Sequence, residues 1–331
     1  MVIFTFRIRL VRITGRNRRG ENGKTMTGRT NRRTFVLTII LIIAASAAFA
    51  AKTPPTFRDV AYGPLERDVL DFWQAESDTP TPVVVFIHGG GFYQGSKNGA
   101  SESYIKKCRE NGVSYAAINY PYYQDVALLG IIRDNIARAV QFLRYKSDEW
   151  NIDKNAIAVY GSSAGAGSSL WLAFHDDIAD PDNADPVLRE SSRVSAAVGI
   201  RTQATYDFAK WFKYFKGEMD AKTLRAWKLI FIRTVVEMYH VETEKQLNTP
   251  EIKEVRRELD MLTMMDANDP PVLVQTFTSD GPKGDMLHHP VHPRTVMKQA
   301  ANVGANVTMN IDETPKDQRT DPLDFMLKYL K

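Results

Sequence analysis

An α/β fold is predicted for this chain: a mostly parallel, doubly wound sheet with helices on both faces. Short apolar runs suited to buried strands alternate with helix-like stretches over most of the 331 residues, the order that parallel sheets with crossover helices require. Glycine-rich turns follow two of those runs directly, at strand ends of the kind where such sheets bind ligands. Between Ile200 and Val272 the alternation lapses into a helix-rich insertion, read over residues 201–266 as a helical cap. With 44% hydrophobic residues the chain can bury a sizeable core, and residues 51–331 are read as one domain.

Taken in order, residues 1–50 come first and stand apart in charge. They hold 10 of the 43 Lys and Arg but only Glu21 among the 39 acids, so residues 51–331 carry 33 basic against 38 acidic groups. The formal net charge of +4 therefore hides a body of −5, and no nucleic-acid partner is implied. Arg32-Arg33 precede an apolar run over 35–47 and the small-residue site Ala48-Phe49-Ala50, the layout of a signal peptide, so an exported protein is expected, periplasmic or extracellular. An uncleaved anchor is the alternative, and either the general or the twin-arginine route suits the segment. Met26 would begin a compact signal ending at Ala50. No stable membrane partner is expected after cleavage.

Strands are expected at 69–73, 83–87, 114–119, 156–160, 194–200, 272–277 and 307–311. Ile132, Ile136, Ala139, Val140 and Leu143 recur at three- and four-residue spacing, one apolar stripe of a helix that covers a sheet face. Cys108 is the only cysteine; it offers no disulfide or cysteine metal site and is read as helix packing. In the insertion, Trp211, Phe212, Tyr214, Phe215, Trp227, Phe231 and Tyr239 either line a pocket or pack the cap onto the body.

Two motifs carry chemistry. Ser163 lies in Gly161-Ser162-Ser163-Ala164-Gly165 after the 156–160 run and before a helix-like stretch, the strand-turn-helix setting that lifts a serine hydroxyl out of the fold as a nucleophile. The 83–87 run leads into His88-Gly89-Gly90-Gly91-Phe92. Bare backbone there lets N–H groups approach a substrate, and Gly90, Gly91 and Ala164 are the candidate donors of an oxyanion hole.

With these motifs the chain resembles the α/β-hydrolase superfamily, in particular its carboxylesterase and lipase branch with H-G-G-G, the hormone-sensitive-lipase-like group. Val69-Leu70-Asp71-Phe72, 116–120 and 169–177 are similar to bacterial esterase-like members. The resemblance implies an α/β-hydrolase fold and the order nucleophile, acid, histidine, with the acid after the 272–277 strand. Asp280 fits that position; as a turn aspartate before Gly281 it also has a purely structural reading.

The histidine that the resemblance implies after the 307–311 strand is absent, since 312–321 contains none. His288, His289 and His292 lie on the loop after Asp280 instead. Triads are defined by geometry rather than chain position, and His289 is preferred as a displaced base, followed by His288 and then His292. His88 is assigned to shaping the oxyanion loop, and His175 and His240 to surface or packing roles. No cofactor is expected. Neither the crowd of Asp176, Asp177, Asp180, Asp182 and Asp185 nor the three loop histidines forms a recognised metal-ligand array, and the aspartates have no evident purpose at a helix end that they oppose electrostatically.

The expected function is an exported serine carboxylesterase acting on a small acyl or carbohydrate ester. The alternative is a weakly active or noncatalytic hydrolase-fold binding protein, its discriminant being whether an imidazole reaches Ser163. A peptidase of the same fold is a third reading.

Overall fold

In the computed structural model, the described residues are 52–278 and 285–331; the leader and Asp280 lie outside them. The sheet has eight strands: β1 (Phe57–Ala61), β2 (Val69–Trp73), β3 (Thr81–Ile87), β4 (Ser114–Ile118), β5 (Ile152–Ser162), β6 (Ala196–Ile200), β7 (Val272–Gln275) and β8 (Val307–Asn310). Their order across the sheet is β1-β2-β4-β3-β5-β6-β7-β8. β1 with β2 and β2 with β4 are antiparallel, and every later pairing is parallel.

The central strands are apolar on both sides because both faces are covered. Val83, Val84, Val85 and Ile87 of β3 are fully buried, as is every residue of β4. The longer helices are α1 (Glu102–Glu110), α2 (Ala137–Tyr145), α3 (Ala164–Phe174), α4 (Ala221–Met238), α5 (Pro250–Glu258), α6 (Val291–Val303) and α7 (Pro322–Lys328). α2 continues from a π-helical stretch, Ile131–Ile136, and the stripe Ile132, Ile136, Ala139, Val140 and Leu143 is fully buried across both. One core joins α2, α3, α6 and the cap on one face; a second, with Cys108, Tyr115 and Met326, lies under α1 and α7.

β1 escapes the pattern of apolar runs because it is an edge strand with an irregular register, and Arg58 and Asp59 are exposed. The aspartates after α3 acquire a local purpose. Asp177 accepts hydrogen bonds from the N–H groups of Ala179 and Ser192. Asp185 caps a short 3-10 turn through Val187 N–H and pairs with Arg138. They fasten a turn-rich connection, and among the described residues no group of three or more His, Cys, Asp or Glu is arranged to hold a metal.

Candidate active site

The carboxyl ends of β3, β5, β6 and β7 converge on one edge of the sheet, and the chemistry gathers there. Ser163 follows β5 with φ 55° and ψ −117°, a conformation that costs a non-glycine residue on the order of 1–3 kcal/mol. Its N–H is held by Ile200 O at 2.9 Å. The tight turn needs Gly165, since a Cβ there would meet Ile87 O at 2.0 Å. α3 starts at Ala164, whose N–H is among the leading donors that have no acceptor within their own helix.

The glycine loop after β3 is set by backbone shape. Gly90 has φ 109° and a Cβ there would meet Gln94 O at 2.1 Å; Gly91 has φ 62°. The His88 ring is stacked on Tyr120 with centroids 4.0 Å apart, and its Nδ1 is 2.7 Å from Gly89 O. Burial pushes the His88 imidazole down to about 4, so the ring props the loop as a neutral group.

Of the loop histidines, His288 reaches the serine. Its Nε2 lies 2.9 Å from Ser163 Oγ, so the hydroxyl donates to it. Its Nδ1–H donates to Asp285 Oδ2 at 2.5 Å. The preference for His289 is thereby corrected. That side chain is fully buried, with its ring edge-on to Phe215 at 5.3 Å and its Nδ1 accepting from Val291 N–H at 3.1 Å. Adjacent side chains on an extended or turning chain diverge, so only one of the pair can face the serine. His292 is also buried; Nδ1 accepts from Ala204 N–H and Nε2–H donates to Met286 O.

The carboxylate on His288 is Asp285, a residue that motif reading passed over in favour of Asp280. Asp285 Oδ1 accepts from Leu287 N–H at 2.9 Å, and His288 N–H donates to the Asp285 carbonyl at 3.2 Å. One tight turn therefore holds carboxylate and imidazole three residues apart, and the signal available in the sequence was that spacing, Asp285-Met286-Leu287-His288. The hydrogen bond from His288 holds the Asp285 carboxyl below its usual value. Arg201, at the end of β6, places Nη2 3.7 Å from Asp285 Oδ2 and adds a neighbouring positive charge.

Side chains brace the turn from outside. Thr276 Oγ1 donates to His288 O at 3.0 Å and Gln203 Nε2 to Leu287 O at 2.7 Å; Thr278 Oγ1 donates to His288 O as well. A chamber of about 190 Å³ opens beside Ser163, with Gly91, Tyr206, Phe208, Trp211 and Phe231 in its wall. The cap aromatics thus divide. Phe208, Trp211 and Phe231 border the site, whereas Phe215 is a packing residue under the histidines.

Comparison with known proteins extends this picture. The BD-FAE family model matches residues 70–281, which include Ser163 and the glycine loop but end before Asp285 and His288. A probable isoprenylcysteine alpha-carbonyl methylesterase of Arabidopsis thaliana is 26% identical over 149 residues, 45% of this chain and 31% of its own length. The chain thus spans about a third of the length of the curated relatives it matches. Among solved structures, a truncated carbohydrate esterase from gut microbiota superposes with a TM-score of 0.61 at 16% identity, covering 85% of this chain and 97% of that one. An acetyl ester-xyloside bifunctional hydrolase of Caldicellulosiruptor lactoaceticus gives a TM-score of 0.58 at 18% identity, covering 79% and 87%. These similarities establish the α/β-hydrolase fold.

Proposed function

The chain belongs to the BD-FAE family of α/β-hydrolase-like esterases, and we propose that it works as a serine carboxylesterase through an acyl-enzyme on Ser163. The observation that carries this reading is the hydrogen-bonded series from Ser163 Oγ through His288 to Asp285, at 2.9 and 2.5 Å. An imidazole within reach of the hydroxyl is the feature that separates a working hydrolase from a fold that has lost its base, and it supports the enzyme over the binding protein.

The chemistry follows from the placement. Ser163 Oγ attacks the ester carbonyl while its proton passes to His288 Nε2; the carbonyl π electrons move onto oxygen. Asp285 stabilises the imidazolium and fixes its tautomer. The N–H groups of Gly90, Gly91 and Ala164 are the donors assigned to the tetrahedral oxyanion, helped by the positive end of α3. Collapse expels the alcohol, which takes the proton from His288. Water then attacks the acyl-enzyme as His288 accepts its proton, and the acid leaves with Ser163 regenerated.

A small acyl group suits the chamber of about 190 Å³ beside Ser163, and a carbohydrate ester is suggested by a solved neighbour that is a carbohydrate esterase. Export is supported by the leader's charge and apolar run, and the amino terminus of protein recovered outside the cytoplasm, expected at Ala51, tests it. The decisive experiment for the reaction is fluorophosphonate labelling with peptide mapping, alongside turnover of ester and peptide substrates. The expected outcome is a Ser163 adduct and ester turnover, both lost in His288→Ala; a folded protein that neither labels nor turns over would overturn the reading.

A further inference from the structure

We propose that Phe208 and Phe231 form a partition between the chamber beside Ser163 and a second chamber inside the cap, and that this partition sets the length of acyl chain accepted. The inference rests on the esterase reading above. The second chamber measures about 260 Å³, against about 190 Å³ for the first, and the two rings belong to the walls of both.

α4 explains how one helix serves two cavities. Phe231, Thr234 and Met238 line the first chamber, whereas Phe231, Ile232 and Val235 line the second. These are neighbouring stripes of a helical surface with Phe231 at their boundary. The ring is held there by its neighbours. It lies edge-to-face with Phe208, centroids 5.2 Å apart, and stacks on Trp211 at 5.4 Å. Aromatic packing of this kind makes a fixed wall.

The first chamber accepts the acyl side of the ester. Gly91, Ala164 and Ser163 border it, while His288, which passes a proton to the departing alcohol, is not part of its wall. An acyl chain therefore grows from Ser163 toward the Phe208–Phe231 pair. Beyond the pair, Phe212, Ile232, Val235 and Leu247 offer apolar surface. Of the charged residues on that side, Arg256 donates to Asp207 at 2.7 Å and to Leu247 O at 3.1 Å, Lys228 Nζ lies 5.9 Å from the Phe212 ring centroid, and Glu244 completes the charged part of the lining. The apolar side of the rear chamber, next to Phe208 and Phe231, is suited to a hydrocarbon tail that the partition excludes.

The test is the ratio of kcat/KM for p-nitrophenyl octanoate over p-nitrophenyl butyrate, with p-nitrophenyl acetate as a check on the intact centre. In the wild type octanoate should be at least about tenfold poorer, and Phe231→Ala should raise the ratio about tenfold or more, as the fit of several methylenes requires. Adding Val235→Phe refills the rear chamber and should return the ratio toward the wild-type value. Phe208→Leu provides a milder opening if Phe231→Ala fails to fold. A folded, acetate-active Phe231→Ala enzyme with an unchanged ratio would overturn the partition, as would wild-type enzyme that already prefers octanoate, or a gain that survives Val235→Phe. Absence of all ester turnover and of phosphonate labelling at Ser163 would instead show the esterase reading itself to be wrong, and the partition falls with it.

Discussion

Two adjacent histidines have opposite fates, and the difference can be measured residue by residue. His288→Ala and Ser163→Ala should each lower kcat/KM by at least about 10⁴-fold, since either change removes the proton transfer or the nucleophile. His289→Ala should leave phosphonate labelling of Ser163 intact while lowering the urea midpoint, because it empties a packed position against Phe215. Asp285→Asn should cost about 10⁴-fold in turnover by losing the carboxylate that orients the imidazole. Asp280→Asn should retain most activity, and equal loss in the two would show the assignment of the acid to be wrong. Ser163 and its glycines were legible in the sequence because an elbow is local: strand, small residues and helix are contiguous. The choice between His288 and His289 was not, since it depends on Phe215, more than seventy positions earlier, drawing one ring inward.

At the level of elements, α6 starts beside the site and is keyed to the cap by His292. Burial pushes His292 down to about 3 and His88 down to about 4. Both imidazoles are neutral when folded, so the unfolded chain binds more protons as pH falls below the ordinary histidine value of about 6.5. Stability is therefore lost through that window, by about 1.4 kcal/mol per pH unit for each ring, down to the folded values. Protonating His292 Nδ1 would also break its bond from Ala204 N–H, which joins the cap's base to this helix. Urea midpoints taken from neutral pH to about pH 5 should fall, and His292→Gln should flatten the decline by about one proton. An unchanged slope in that variant would place the buried proton linkage elsewhere. The central strands were legible because they are apolar on both sides, whereas β1 carries Arg58 and Asp59 on an open edge and leaves no such trace.

Across the whole molecule, the body packs on two sides of one sheet, and Cys108 marks the side away from the cap aromatics. Its thiol is fully buried and burial raises it to about 12. Alkylation should be negligible in the folded protein and should appear with global unfolding; rapid native modification would contradict the packing. This makes Cys108 a clock for the body, independent of the active edge. Against that clock, the single turn from Asp285 to His288 acquires a distinct thermodynamic meaning. Acid and base are fastened to the same few peptide units, so one local opening removes both at once, whereas a base on a separate strand end would be lost on its own. Activity should consequently disappear as one cooperative step at lower denaturant than thiol exposure, and a covalent adduct on Ser163 that engages His288 should draw the two transitions together.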